Sequence, residues 1–328
     1  MNRILAVAAM GMLACLQGTA SAGEPLPGPV VDAAWLASHL DQVRVLDVGS
    51  TPESFVRAPV YATPAGEGAR PLLEEAAGHL AGAVLVDPAS LRVEREIDGR
   101  KVKAMLPTPE AFTALARSWG VQQGEPLVVV PLGATTADVD DATRLYWQFK
   151  VYGHDNIAIL DGGLTGWLAE GRPWSVEAAV TPEAGNWQAG PLRVDLFAGM
   201  EAVEAALAAS DVQLVDGRDM SQFYGLSRRS SVTAGGHLPG ARALPPELVT
   251  RQVGGAARFL KAEEYRGVLQ AQGIAPEAAS ITYCNTGHLA SGAWFVMHEI
   301  VGNPKVALYD GSMHEWTTAG RPVQSPLN

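Results

Sequence analysis

Short apolar runs punctuate this chain, separated by longer stretches in which apolar residues recur every three or four positions. The runs at 43–48, 127–130 and 157–160, and later at 212–215, 281–283 and 306–309, predict strands. Nearly unbroken apolar runs, as opposed to alternating ones, mark strands covered on both faces. The stretches at 109–119, 142–152, 200–209, 262–272 and 289–300 have the period of amphipathic or buried helices. Strands alternating with helices give an α/β fold class, with parallel sheets and helices on both faces. Sites in such folds gather beyond the C-terminal ends of the strands.

The two halves repeat each other. Asp161-Gly162-Gly163-Leu164-Thr165-Gly166-Trp167 matches Asp310-Gly311-Ser312-Met313-His314-Glu315-Trp316, and both are followed by Gly-Arg-Pro, at 171–173 and 320–322. Upstream, Gly78-His79-Leu80-Ala81-Gly82-Ala83 matches Gly236-His237-Leu238-Pro239-Gly240-Ala241, and Val45-Leu46-Asp47-Val48 matches Leu214-Val215-Asp216-Gly217. Four blocks in one order indicate a duplicated domain. The expected division is a first domain at 28–175, a linker at 176–195 running over the surface, and a second domain at 196–328. The linker is placed where Ala, Gly, Pro and Glu replace periodicity.

Composition narrows the class. The chain has 328 residues, enough for two domains with their own cores, and its 47% hydrophobic content is that of a globular protein. A net charge of −11 gives no support to nucleic-acid binding. Asn2-Arg3, an apolar stretch from Ile4 to Leu16, and Ala20-Ser21-Ala22 read as a signal peptide over 1–22, which predicts a periplasmic or secreted protein. The stretch is short for a membrane span. Leu13-Ala14-Cys15 is a poor lipidation box because Met12 precedes it.

Cleavage there removes Cys15 and leaves Cys284 alone. Exported proteins generally use cysteines in disulfide pairs, so a solitary thiol points to reactivity. Cys284 ends a predicted strand and is followed by Asn285-Thr286-Gly287-His288-Leu289 and then a helix. Amides of such a loop and of the helix N-terminus favour a thiolate. That matters because a free thiol, with a pKa of about 8.5, is only a few per cent ionised at pH 7. The competing reading is a buried cysteine acting as a small apolar residue.

Together these blocks and the Cys-x-x-Gly loop resemble the rhodanese family (thiosulfate and 3-mercaptopyruvate sulfurtransferases) in its tandem form. The resemblance implies two rhodanese-like domains, of which only the second is catalytic. It implies sulfane-sulfur transfer through a Cys284 persulfide, from an anionic donor, thiosulfate favoured, to cyanide or a thiol. Small-molecule donor and acceptor are the implied partners, with a protein thiol as a further acceptor; no cofactor, metal, nucleic acid or membrane span is implied. Pro131 stands where the first copy would carry its thiol, and Asp138, Asp140 and Asp141 follow, which would oppose an anionic substrate. The loop Cys-Asn-Thr-Gly-His-Leu lacks the two cations of thiosulfate-preferring members, which resemble Cys-Arg-Lys-Gly-Val-Thr. It also differs from the Cys-Gly-Ser-Gly-Val-Thr of mercaptopyruvate-preferring ones.

Asn285, Thr286, Gly287, His288 and Leu289 are therefore the expected thiolate-stabilising loop, with Arg218 as an expected substrate-binding residue. Two roles are open to His288: a switchable positive charge, or a helix N-terminal residue bonded to the loop. Two are open to Arg218 as well: the donor's anionic group or an acidic neighbour. The second arginine of many tandem members is Gln222 here. His79 and His237 recur in both copies and are expected to be structural, like the Asp161/Asp310 and Trp167/Trp316 pairs. A cysteine phosphatase would need arginine where Ala290 stands, and a thioredoxin-like enzyme a second cysteine where Gly287 stands. A sulfur carrier that loads without turnover uses the same loop and stays open.

Overall fold

The computed structural model describes residues 26–63 and 71–327, and the expected leader at 1–22 lies outside them. Each copy forms a five-stranded parallel sheet. The first is ordered Val30–Val31, Ile157–Leu160, Leu127–Val130, Arg44–Asp47, Val84–Leu85. The second is ordered Phe197–Ala198, Val306–Tyr309, Ser280–Tyr283, Gln213–Asp216, Arg242–Ala243. The register repeats too: Val45 lies beside Val128, and Leu214 beside Ile281.

The six strands expected from the sequence are the three inner strands of each sheet. They are buried on both faces and so must be apolar, with Leu127–Val130 and Ile157–Leu160 buried at every position. The outer strands have only two residues each, too few for any periodicity to show. Short edges of this kind offer little for another chain to pair with. Among the described residues, three antiparallel strand pairs lie outside the expected strands: Val60–Ala62 with Leu72–Glu75 and Val93–Ile97 with Arg100–Met105 in the first domain, and Arg251–Val253 with Ala256–Arg258 in the second.

One helix begins earlier than its apolar pattern. It runs Thr136–Val151, because Thr135 caps it: Asp138 N donates to Thr135 Oγ1 at 3.3 Å and Thr135 N donates to Asp138 Oδ2 at 2.7 Å. Asp138, Asp140 and Asp141, which precede the helix expected at 142–152, are therefore on its first turns. Its counterpart in the second copy is α-helical over Leu289–Trp294 and continues as a π-turn over Phe295–Ile300.

These two helices pack against each other, and this joins the domains. Ala290, Ser291, Gly292 and Ala293 are buried and small, which lets the backbones approach. Thr143 Oγ1 and Ser291 Oγ are hydrogen-bonded at 2.8 Å, and Tyr146 meets Phe295 edge-on with centroids 4.8 Å apart. A single core runs from Val129 in the first sheet through Leu145 and Trp294 to Val306 in the second.

The repeated blocks brace each domain in the same way. His79 and His237 each bond a backbone carbonyl through Nδ1 at 2.8 Å, of Phe55 and Phe223, and stack on that same phenylalanine. Trp167 and Trp316 donate from Nε1 to Pro173 O and Pro322 O. The connector differs from a chain lying loosely on the surface. It has no helix, but Trp187 is fully buried beside Phe112 and Phe149, with Nε1 donating to His154 Nδ1 at 3.1 Å. One large aromatic anchor is enough to pin such a segment.

Candidate active site

Strand Ser280–Tyr283 delivers Cys284 to the C-terminal edge of the second sheet, and the chain then turns through 285–288 into the helix. The turn needs glycine at 287. Its φ is +73°, and a Cβ there would meet Asp310 O at 2.7 Å, Asp310 Oδ1 at 2.8 Å and Arg144 Nη1 at 2.9 Å.

Ser312 organises the loop from below. Its Oγ accepts from Cys284 N at 3.1 Å and Gly287 N at 3.0 Å, and donates to Tyr309 O at 2.8 Å. Ser312 adopts φ +50°, in the left-handed region that disfavours side chains, whereas its counterpart in the first copy is Gly163 at φ +56°. The second copy thus bears backbone strain where the first has none, and obtains in return an oxygen that holds two loop amides. Two amides expected to face the sulfur are spent on Ser312 instead. Those of Asn285, Thr286, His288, Leu289 and Ala290 have no carbonyl acceptor among the described residues.

Cys284 itself is only 1% exposed and belongs to the shared core. The thiol is thus covered, more deeply than the mouth of a sheet suggests. Thr286, His288 and Leu289 are part-exposed around it, whereas Asn285 is buried, with Nδ2 donating to Gln222 Oε1 at 2.9 Å.

The first domain supplies much of the surrounding charge. Arg144, on helix Thr136–Val151, is fully buried; its Nη1 donates to Gly287 O at 3.1 Å and lies 2.7 Å from Asp310 Oδ1. Asp310 Oδ2 accepts from Leu106 N, again of the first domain, at 2.6 Å. The mirror arrangement exists at the other copy, where Asp161 accepts from Phe259 N at 2.9 Å and pairs with Arg258 at 3.3 Å. The repeated aspartates, expected to be structural, are clasps between domains.

Arg218 is buried and committed. Its Nε and Nη2 grip Asp216, the closest approach being 2.6 Å, and Nη2 also donates to Gly236 O at 2.8 Å. Of the two roles open to it, pairing with an acid is the one the geometry displays. Asp216 also accepts from Arg218 N at 3.0 Å, just as its counterpart Asp47 accepts from Gly49 N and Ser50 N at the end of the matching strand.

His288 does not provide a switchable charge near neutrality. Burial first, then the positive charges of Arg92 and Arg144, hold its pKa down to about 3. Nor does it cap the helix through its side chain; Nε2 lies 3.5 Å from Asp141 Oδ1. Burial pushes Asp141 up to about 6, against the pull of Arg92.

Asp140 is 1% exposed with neither carboxylate oxygen hydrogen-bonded, and it packs so closely on the second domain that a Cβ at Gly292 would meet its Oδ1 at 2.3 Å. Burial, then the neighbouring Asp141, drives its pKa well above the ordinary carboxylate range. A carboxyl whose folded pKa is raised binds its proton more tightly in the folded state. It therefore stabilises the fold at low pH relative to high pH, and that advantage is lost as pH rises above the unfolded value. Asp140→Asn is accordingly expected to gain on the order of 1–3 kcal/mol at pH 8 and almost nothing near pH 4. Urea unfolding at the two pH values measures this; an equal effect at both would show that ionisation of Asp140 is not what costs stability.

Two parallel α/β domains share one core, and the sole cysteine among the described residues stands in a loop at the second sheet's edge. The chain belongs to the rhodanese family: the rhodanese-like domain matches residues 32–170 and again 200–319. It is 27% identical over 315 residues to thiosulfate/3-mercaptopyruvate sulfurtransferase 2 of Arabidopsis thaliana, spanning 89% of this chain and 84% of that protein. Two solved structures share the fold. SseA of Escherichia coli, described as a 3-mercaptopyruvate sulfotransferase, aligns with a TM-score of 0.68 at 24% identity, over 87% of this chain and 98% of its own. The anaerobic ergothioneine biosynthesis enzyme of Chlorobium limicola aligns with a TM-score of 0.70 at 19% identity, over 90% of this chain and 70% of its own. The protein is a rhodanese-type transferase.

Proposed function

We propose that the protein moves sulfane sulfur from an anionic donor, thiosulfate favoured, to cyanide or a thiol through a persulfide on Cys284. The observation that carries this reading is the loop after Ser280–Tyr283, which presents one cysteine above Ser312 with five neighbouring amides lacking carbonyl partners. Such amides suit a sulfur that must carry negative charge both before and after it is loaded.

In the first step the Cys284 thiolate attacks the outer sulfur of thiosulfate. A new S–S bond forms, the donor's own S–S bond breaks, and its electron pair leaves with sulfite. In the second step the acceptor attacks the outer sulfur of the persulfide; cyanide becomes thiocyanate and the thiolate is restored. Electrons balance without an oxidant or a reductant. Because the thiol is covered, the donor's path runs past the part-exposed Thr286, His288 and Leu289. The first copy, with Pro131 in place of a thiol, has the role of support. The leader at 1–22 supports a periplasmic or secreted location.

The relative's name covers both thiosulfate and 3-mercaptopyruvate, so the second donor is the alternative substrate. Mass spectrometry after donor exposure is expected to find about 32 Da added to the Cys284 peptide. Cyanide should then remove it with repeated turnover. Loading without turnover would make the protein a carrier, and no loading from either donor would overturn the reading.

A further inference from the structure

We infer that the anionic end of the sulfur donor is bound by the first domain, through Arg92. This rests on the sulfur-transfer reading for the identity of the donor, though not for the existence of the anion site.

The second domain's own cations are missing or occupied. Its loop carries Asn285 and Thr286 where thiosulfate-preferring relatives resemble Arg-Lys, Gln222 stands in place of a second arginine, and Arg218 is locked onto Asp216. An anion approaching Cys284 therefore finds none of these positions offering a free cation.

The first domain brings one. Arg92 ends the short turn Pro88–Leu91, and that turn is tied to the domain interface because Gln148 Nε2 donates to Leu91 O at 2.5 Å. Gln148 lies one helical turn beyond Arg144, whose guanidinium holds Gly287 O. The same helix thus fixes both the nucleophile's loop and the backbone from which Arg92 projects. From that position the charge of Arg92 lies within electrostatic range of Cys284, Arg144 and Asp141, and His288 feels both arginines.

Its state is unusual for an arginine. Among the described residues Arg92 forms neither an ion pair nor a hydrogen bond, although it is partly buried beside a second guanidinium. Arg144 is likewise short of partners: its Nε and Nη2 are buried without a hydrogen bond. Two guanidinium groups with unspent donors, one of them bonded to the cysteine's own loop, form a site whose electrostatic cost an anion would relieve. The planar fork of arginine suits a sulfonate-type or carboxylate group, so donors bearing either would be recognised, and neutral reagents would gain nothing. The copy without a sulfur would then act as the anion-recognition half of a composite site.

The test compares iodoacetate with iodoacetamide, reagents of nearly equal size that alkylate a thiol with loss of iodide and differ in charge. In Arg92→Gln the iodoacetate rate at Cys284 should fall by about 10-fold or more while the iodoacetamide rate holds, and Arg92→Lys should recover part of the difference. With thiosulfate as donor, Arg92→Gln should raise KM by about 10–100-fold. An unchanged iodoacetate-to-iodoacetamide ratio overturns the inference. So does an equal fall with both reagents, which would make Arg92 a support for the loop. If sulfur transfer itself is misassigned, the wild-type protein shows no thiosulfate turnover while the alkylation ratio still depends on Arg92.

Discussion

Cys284→Ser is expected to abolish sulfur transfer, lowering turnover by about 10⁴-fold or more, while the protein stays folded. The expectation follows from the step itself. In the proposed step the sulfur atom forms the bond to the transferred sulfur, and a serine hydroxyl is neither nucleophilic enough at neutral pH nor able to hold a persulfide. No other described residue can substitute, because Cys284 is the sole cysteine among them. The fold should tolerate the exchange, since oxygen is smaller than sulfur and the neighbouring Cys284 N–Ser312 bond is made by the backbone. Turnover with thiosulfate and cyanide, with circular dichroism as the folding control, measures both. Transfer that survives the replacement would remove Cys284 from the mechanism.

The second large effect concerns stability. Arg144→Met should destabilise the protein by about 3–5 kcal/mol, because it leaves the fully buried Asp310 carboxylate without its counter-charge. The shift is about 2–4 °C per kcal/mol for 150–250 residues and smaller for a longer chain, so the melting temperature would fall by roughly 5–10 °C. Asp310→Asn is milder on its own terms, since an amide oxygen can still accept from Leu106 N. The informative protein is the double variant, Arg144→Met with Asp310→Asn. It removes both charges and should recover a substantial part of the loss, a coupling that a double-mutant cycle reads directly. Strict additivity of the two changes would mean that the pair contributes nothing as a pair. Because Arg144 also holds Gly287 O, the single variant should at the same time make Cys284 more open to alkylation.

What could be read from the sequence was whatever one strand or one repeat could encode. Leu127–Val130, Ile157–Leu160 and Val306–Tyr309 have their expected bounds because burial on both faces leaves no choice of residue type. Cys284 was legible from a lone thiol, a glycine two residues beyond Asn285, and a helix. The rest of the site was not, because it depends on which elements meet. Nothing local marks Leu106 as a neighbour of Asp310, 204 positions away, or Arg144 as a neighbour of Gly287, 143 positions away, and nothing local marks Asp310 as a clasp between domains. Two signals existed without being used. Arg144 is a charge inside a run otherwise fit for burial, between Thr143 and Leu145. Ser312 departs from Gly163 at a matched place in the repeat, and such a departure is informative because only one copy has a thiol to serve. His288 shows the opposite limit: its residue type suggests titration near neutrality, whereas burial and two arginines forbid it.

The pairing of helices Thr136–Val151 and Leu289–Trp294 has a consequence for how such a duplicated chain ages. A copy without a thiol would ordinarily accumulate changes at will. Here its helix packs against the helix that follows Cys284, so each half is the other's scaffold, and excising either would expose the apolar seam between them.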